Sequence, residues 1–399
     1  MNHTILMNVW IVLQVLIGYN LVLPLVLYVL HLISGQYKFK NKAVSKEEAD
    51  YAIIVTAYEQ TYMLKAVTDS IVKLKYDNYL VYIVADKCDI TNLKFDDKRI
   101  IVLRPEETLG SNTRSHFYAI NRFQRNHERL TIIDSDNLVD PQYLTELNKL
   151  FDEGFIAVQG LRKAKNMDTT VACLDAARDM YYHFYDGEAL FDLGSSATLA
   201  GSGMAFTTEL YKECLEKLDI TGAGFDKVLQ NEIVGRGYRI AFTNKAVVYD
   251  EKTSNSDQLV KQRARWINTW FRYFKFGFSI MGSGIVKFSW NRILFGIILL
   301  RPPLFIFLLL SLMFAAANIF ISMTAVVIWA GAFLCFVVGF LLALVHSKPD
   351  PKVWASLVGI PKFIFYQVLS LMKIRKANKI SVATTHYHAQ DIDEVKKES

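Results

Sequence analysis

The placement of its uncharged stretches restricts this chain more than any other feature. Residues 1–36 hold no Asp, Glu, Lys or Arg, and an apolar run extends from Ile5 to Ile33. About 20 such residues are enough to cross a bilayer. A cleaved signal peptide would begin with basic residues, carry a shorter apolar run and end at a small-residue cleavage site. The N-terminal stretch has none of these. A second uncharged stretch, Pro302 to Val345, is long enough for two spans joined by a tight turn near Ile321–Thr324. The chain is therefore expected to have an N-terminal transmembrane helix in 1–36 and a transmembrane helical hairpin in 302–346.

Charge gives an orientation. Lys38, Lys40 and Lys42 follow the first stretch, Arg292 and Arg301 precede the second, and Lys348 and Lys352 follow it. By the positive-inside rule the N-terminus faces outside and the middle of the chain faces the cytoplasm, as expected for an integral membrane protein. The formal charge of +6 is thereby read as topology, and no nucleic-acid partner is expected. A composition 52% hydrophobic is too apolar for an ordinary soluble protein and agrees with contact to membrane lipids. Cys88, Cys173, Cys214 and Cys335 form no CxxC or Cys/His cluster, which removes a disulfide framework and a cysteine-based zinc site.

Residues 271–301 and 353–378 are apolar but interrupted by Lys, Arg, Gly and Pro, the pattern of helices lying in the membrane interface with snorkelling cations. Core helices of the soluble domain are the alternative. Pro361 starts or kinks the second of these segments. Residues 380–399 read as a polar, partly disordered tail.

Between residues 50 and 270 the pattern changes. Ala52–Thr56, Leu80–Ala85, Arg99–Leu103 and Leu130–Ile133 are apolar runs with the look of strands buried on both faces. Gln60–Leu74 and Asn112–Arg125 have room for crossover helices. This alternation predicts an α/β domain with a mostly parallel sheet, and ligands of such sheets bind beyond the carboxyl ends of the strands. The polar residues there are Ala57-Tyr58-Glu59 after the first strand, Asp86 and Asp89 after the second, and Asp134-Ser135-Asp136 after the fourth.

Asp134 and Asp136, two apart in extended chain, point to one side and can share a divalent ion and its phosphates. A calcium loop is excluded, because Leu138 and Val139 stand where it needs an oxygen ligand and a glycine. Ala200-Gly201-Ser202-Gly203 is a small-residue loop that lets backbone approach a ligand. Asp226 heads a helical run and has the chemistry of a general base. In Gln262-Arg263-Ala264-Arg265-Trp266, arginine offers a forked donor for phosphate and tryptophan a flat face for a sugar ring. Each element alone has an ordinary reading, such as a solvated turn, a helix cap or a basic interfacial helix. Their order along one chain is what carries weight.

That ordered set resembles the membrane-integrated branch of glycosyltransferase family 2, which includes cellulose, chitin and hyaluronan synthases and bacterial exopolysaccharide synthases. The resemblance covers roughly Tyr51 to Lys379 and is strongest from Leu130 to Trp266. It implies an inverting transferase with a cytoplasmic GT-A domain at 50–270, using Mg2+ or Mn2+. Asp86 would hold the nucleoside, with Ala57, Tyr58 and Glu59 beside the donor. Asp134 and Asp136 would hold the metal and diphosphate, and Asp226 would be the base. Gln262 and Arg265 would bind the diphosphate, and Ser202, Gly203 and Trp266 the acceptor. The sequence departs from the family pattern at Phe225, where an acidic residue is usual, and at Gly110-Ser111-Asn112-Thr113-Arg114, where Arg114 would replace a lysine. The expected activity is transfer from a nucleotide sugar, with UDP the family default, to a growing polysaccharide, with an export partner protein where the chain lacks its own channel. Single addition to a lipid-linked acceptor is the alternative, and a non-catalytic membrane scaffold with a degenerate nucleotide site is a second.

Overall fold

The computed structural model describes residues 3–35, 48–373, 388 and 390–398. Lys38, Lys40 and Lys42 lie outside the described residues, as do 374–387, 389 and 399 of the C-terminal segments. The chain opens on α1 (His3–Ser34) and enters an α/β domain through β1 (Tyr51–Tyr58), α2 (Leu64–Val72), β2 (Tyr79–Asp86), β3 (Ile100–Leu103), α3 (Asn112–Ile120) and β4 (Arg129–Asp134). There follow β5 (Leu138–Val139), α4 (Tyr143–Asp152), β6 (Ala157–Ala164), α5 (Thr170–His183), a π-helical turn (Phe184–Ala189) and α6 (Leu190–Asp192). The domain closes with β7 (Met204–Thr207), α7 (Thr208–Leu215), α8 (Phe225–Arg236), β8 (Ala241–Asp250) and α9 (Ser256–Tyr273). The apolar remainder is α10 (Phe276–Val286), α11 (Trp290–Leu300), α12 (Leu304–Asn318), α13 (Met323–Ser347), α14 (Pro351–Ser356) and α15 (Ile360–Lys373), with α16 (Ile392–Glu398) beyond it.

Among the described residues the sheet has eight strands in the order β3-β2-β1-β4-β7-β6-β8-β5. The half made of β3, β2, β1 and β4 is parallel, as its apolar runs require; β2, β1 and β4 are largely buried, and β3 is half-buried at the edge. Pairing Tyr58 with Asp86 and Thr56 with Asp134 brings the polar ends of three strands to one edge. The other half is mixed, with β7 antiparallel to both β4 and β6. Gly201 and Gly203 sit at φ +86° and +67°, values open to glycine without strain, and they turn the chain back beside β4.

Among the described residues three helices are long and apolar enough to cross a membrane: Thr4–Ser34, Met323–Ser347 and Pro351–Lys373. In addition α11 and α12 form an apolar pair bent by 72°. α12 and α13 form a helical pair that turns at 319–322. Its first arm has 15 residues, short of a full crossing on its own. Gly18 lets α1 pack on the Trp329 ring of α13, where an added Cβ would lie 3.3 Å from the indole. The Gln14 side-chain oxygen accepts hydrogen bonds from Trp329 Nε1 at 2.9 Å and Asn318 Nδ2 at 2.6 Å.

Two segments differ from the sequence reading. Arg292 and Arg301, taken as flanking charges exposed to the cytoplasm, are buried. Arg292 donates to the carbonyls of Val234 and Gly235, and Arg301 pairs with Asp186 at 2.5 Å under Tyr181 and Tyr182. They dock the apolar helices onto the α/β domain, because a buried cation is tolerated only when paired. Ile280 of α10 and Phe295 of α11 likewise join the core of the sheet, while Val286 and Phe288 remain exposed. The end of the polar tail is ordered. Ile392 and Val395 of α16 are buried, Lys73 pairs with Asp391 and Asp393, and Lys396 pairs with Asp140.

Candidate active site

The polar edge of the sheet opens into a cavity of about 950 Å³. Asp134 ends β4 and Asp136 lies two residues on, and both line it. The turn between them is set from behind: buried Ser202 Oγ accepts from the Asp134 amide at 3.1 Å and from Asn137 Nδ2 at 2.7 Å. Burial, and then the charges of Asp136, Asp250 and Asp226, push the Asp134 carboxyl up to about 7, with Arg162 opposing them. A group of carboxylates that raise one another's affinity for protons also attracts a divalent cation.

Asp226 reaches the same cavity from the first turn of α8. Its loop depends on Gly224, at φ +103°, where a Cβ would stand 2.5 Å from Tyr273 Cε2 and 2.7 Å from Thr269 Cγ2. Only glycine allows α8 to start this close to α9, and that approach places Asp226 beside the helix carrying Gln262, Arg265 and Trp266. Lys227 stands 3.1 Å from the Asp226 carboxylate and is anchored on the Leu199 carbonyl.

All of Gln262, Arg265 and Trp266 line the cavity. The half-exposed Trp266 ring lies 4.0 Å from the guanidinium carbon of Arg263 and 4.6 Å from that of Arg178, so its plane is fixed by cations. Arg263 is itself buried against Asp175. Thr253 Oγ1 donates to the Gln262 side-chain oxygen at 3.3 Å. Burial holds Arg265 below the usual arginine range.

The remaining sequence candidates are placed differently. Tyr58 lines the cavity, but Ala57 is buried within β1, and Glu59, at φ +61°, pairs with Lys87 at 2.6 Å. The buried Asp86 carboxylate accepts from the amides of Leu109 and Gly110 at 3.0 and 2.8 Å, so it shapes the loop before α3. Arg114 points elsewhere, in an exposed bidentate pair with Asp219 at 2.9 and 2.7 Å. Gly203 packs under Val248, and neither it nor Ser202 lines the cavity.

A buried charge network beside the paired aspartates escaped the sequence reading. Arg162 bonds Asp250 at 2.5 Å, and Lys252 bridges Asp250 and Asp179. Burial alone would lower Arg162, yet Asp250, Asp179 and Asp134 raise it. Burial pushes His183, on the same wall, down to about 4, so it is neutral near pH 7. The one sequence signal was Asp250 closing a strand at the ligand edge, the same cue that marked Asp134.

Away from this polar end the cavity continues between the apolar helices. There it is lined by Ile298, Leu304, Phe305, Leu308, Phe336, Phe340, Phe363 and Ile364, from α11, α12, α13 and α15.

Against known proteins, residues 49–269 match the model of the family described as "Glycosyltransferase like family 2". Comparison with curated proteins finds no match. Among solved structures, the mannosyltransferase PcManGT from Pyrobaculum calidifontis, in complex with GDP-Man and Mn2+, superposes with a TM-score of 0.56 at 13% identity, over 92% of this chain and 98% of that one. TarS from S. aureus aligns at 16% identity over 55% of this chain and 39% of its own, with a TM-score of 0.36, too low to bear on the fold. The likeness to PcManGT, at this identity, is one of fold. Since the matched region covers more than half of the sequence and contains the whole polar end of the cavity, the chain belongs to glycosyltransferase family 2.

Proposed function

We propose that the protein is a membrane-integrated, inverting glycosyltransferase that moves a sugar from a nucleotide sugar to a lipid-linked acceptor at the cytoplasmic face. One observation carries the reading: a single cavity runs from the paired aspartates to a lining of apolar helix residues. A charged, soluble donor suits the first end. An amphiphile whose chain lies among apolar side chains suits the second.

The donor set fits a divalent cation. Asp134 and Asp136 offer hard oxygen ligands, and the up-shifted Asp134 carboxyl lies among carboxylates that favour positive charge. Mn2+ accompanies GDP-Man in PcManGT, and Mg2+ suits the same ligands. When bound, such an ion neutralises charge on the diphosphate leaving group.

The chain's own residues supply the rest. Asp226 accepts the proton of the acceptor oxygen as that oxygen bonds to the anomeric carbon from the side opposite the leaving diphosphate. The sugar–phosphate bond breaks with inversion. Arg265 stabilises charge on the departing oxygens, a role for which a partly desolvated guanidinium is well suited. Trp266, held between two arginines, presents a face to the acceptor sugar or head group. Asp86 holds the loop that flanks the nucleoside position, and Tyr58 contacts the donor.

Polysaccharide extension uses the same chemistry, but its sugar chain needs a polar path, and the far end of this cavity is apolar. Retention of Asp134, Asp136, Asp226 and the Gln262–Trp266 string argues against a degenerate scaffold. The test uses the full chain in lipid nanodiscs with a panel of nucleotide sugars and Mn2+ or Mg2+, reading released nucleoside diphosphate. Transfer to a polyisoprenoid phosphate or lipid-linked sugar, with none to soluble oligosaccharide, is expected. Preference for the oligosaccharide, with products of growing length, would return the reading to polysaccharide synthesis. No transfer with any donor would favour the scaffold.

A further inference from the structure

A second group of ligand-bearing side chains lies away from the catalytic cavity, where the apolar helices meet the α/β domain. His31 near the end of α1, Glu188 in the π-helical turn and Asp192 in α6 place ligand atoms within 4.8 Å of one another. His31 Nδ1 is 3.2 Å from Asp192 Oδ2. His346, near the end of α13, joins from the other side, with Nε2 at 3.1 Å from Glu188 Oε1 and its ring centroid 5.9 Å from that of His31.

The His31 and Asp192 side chains are 5% exposed, those of Glu188 and His346 14% and 26%, and the Phe184 ring stands edge-on to His31 at 5.3 Å and tilted to His346 at 4.5 Å. Two carboxylates in such a place need two positive charges nearby. Protonating both imidazoles supplies them only by setting two cations against each other in a medium of low dielectric. One divalent ion supplies both charges and leaves the imidazoles neutral. A histidine nitrogen with carboxylate oxygens is a ligand set used by zinc, and metal–ligand bonds of about 2.0–2.2 Å in a tetrahedron put neighbouring ligand atoms about 3.3 Å apart. The 3.2 Å between His31 and Asp192 matches that spacing, and Glu188 lies within 4.8 Å of both, with His346 held on Glu188 at 3.1 Å beside the group. Glu188 and Asp192, four residues apart in continuous helix, share one face.

We propose that His31, Glu188 and Asp192 form a transition-metal site of the zinc class, with His346 hydrogen-bonded to Glu188 beside it, which clamps the end of α1 to the catalytic domain. Its ligands come from two stretches far apart in sequence. Binding therefore stabilises the assembled arrangement of helices and domain.

The test is metal analysis of the purified full chain in detergent, after washing with excess Mg2+ to displace transition metal from the oxygen-ligand catalytic site. About one zinc per chain is expected in the parent and in Asp134→Asn, with background levels in His31→Ala and Glu188→Gln. Because the ligand variants could fail to fold, thermal unfolding of the parent and of Asp134→Asn is followed with and without stoichiometric zinc. Both should gain in melting temperature, and Co2+ should give both the strong visible absorption of a four-coordinate site. A parent that retains no zinc and shows no thermal gain has a plain histidine–carboxylate ion-pair cluster, and the proposal fails. Zinc retained undiminished by folded His31→Ala, or lost with Asp134→Asn, would also overturn it.

Discussion

The two ends of the catalytic cavity are built on opposite principles. At the sheet edge, charge is concentrated where water is scarce: Asp134, Asp136, Asp226, Asp250, Arg162 and Lys252 stand within a few residues of strand or helix ends, held by each other and by backbone. At the helix end the lining is mostly apolar, with Phe305, Leu308, Phe336, Phe340 and Ile364, and Gln367 is the polar side chain that α15 adds. The charged end gains its power from pre-arranged charge that needs no reorganisation during reaction. The apolar end can only bind, at roughly 25 cal/mol for each Å² of apolar surface removed from water. On the proposed function, a site made this way would sort its two substrates by polarity before any chemistry occurs.

If that division is correct, substitutions at the two ends should fail in different ways. The largest effect belongs to Asp226→Asn, which should lower turnover by about 10²–10⁴-fold while donor affinity, measured by calorimetry, stays near the parent value. A variant with near-normal turnover would remove Asp226 as the base.

Second in size is the pH dependence of cation binding. The proton on Asp134 must leave before the carboxylate can serve as a ligand, and burial with its acidic neighbours holds that proton up to about pH 7. Apparent Mn2+ affinity should therefore rise about tenfold per pH unit from about pH 5 and level off above 7. In Asp134→Asn that slope should vanish. A flat profile in the parent would show that this carboxyl does not bind the ion.

At the other end, Leu308→Trp should narrow the apolar part of the cavity and raise KM for a lipid-linked acceptor by about tenfold, with donor hydrolysis in the absence of acceptor unchanged. Equal damage to both reactions would mean that the ends are not separable. The smallest effect is predicted for Arg114→Ala. Its exposed pair with Asp219 leaves it outside the cavity, so activity should stay within about twofold of the parent. A large loss would restore the diphosphate role that resemblance suggested.

The parts of this architecture that could be read from sequence are those where one local rule decides. β1, β2 and β4 announce themselves because strands buried on both faces must be apolar throughout, and their polar ends mark the ligand edge. The paired aspartates and the Gln262–Trp266 string are similarly local. The mixed half of the sheet was not legible. β7 has four residues, and β8 loops out between Thr243 and Val247, so its pattern is broken midway. The network of Arg162, Asp179, Asp250 and Lys252 draws on α5, β6, β8 and the segment after it, with no shared spacing to reveal it. Arg292 and Arg301 misled for the same reason, since a cation beside an apolar run looks alike whether it faces water or a buried carbonyl or carboxylate. Gly224 was passed over because its role depends on Tyr273 and Thr269, nearly fifty residues away.

The most direct test of the two-ended cavity is photo-crosslinking with a polyisoprenoid phosphate carrying a diazirine in its chain, on the full protein in nanodiscs, with the modified residues located by mass spectrometry. The account predicts labels on Leu308, Phe340 and Ile364 that are competed away by unlabelled acceptor. Labelling confined to the outward residues of α13, such as Val327 and Leu334, and indifferent to acceptor would contradict it.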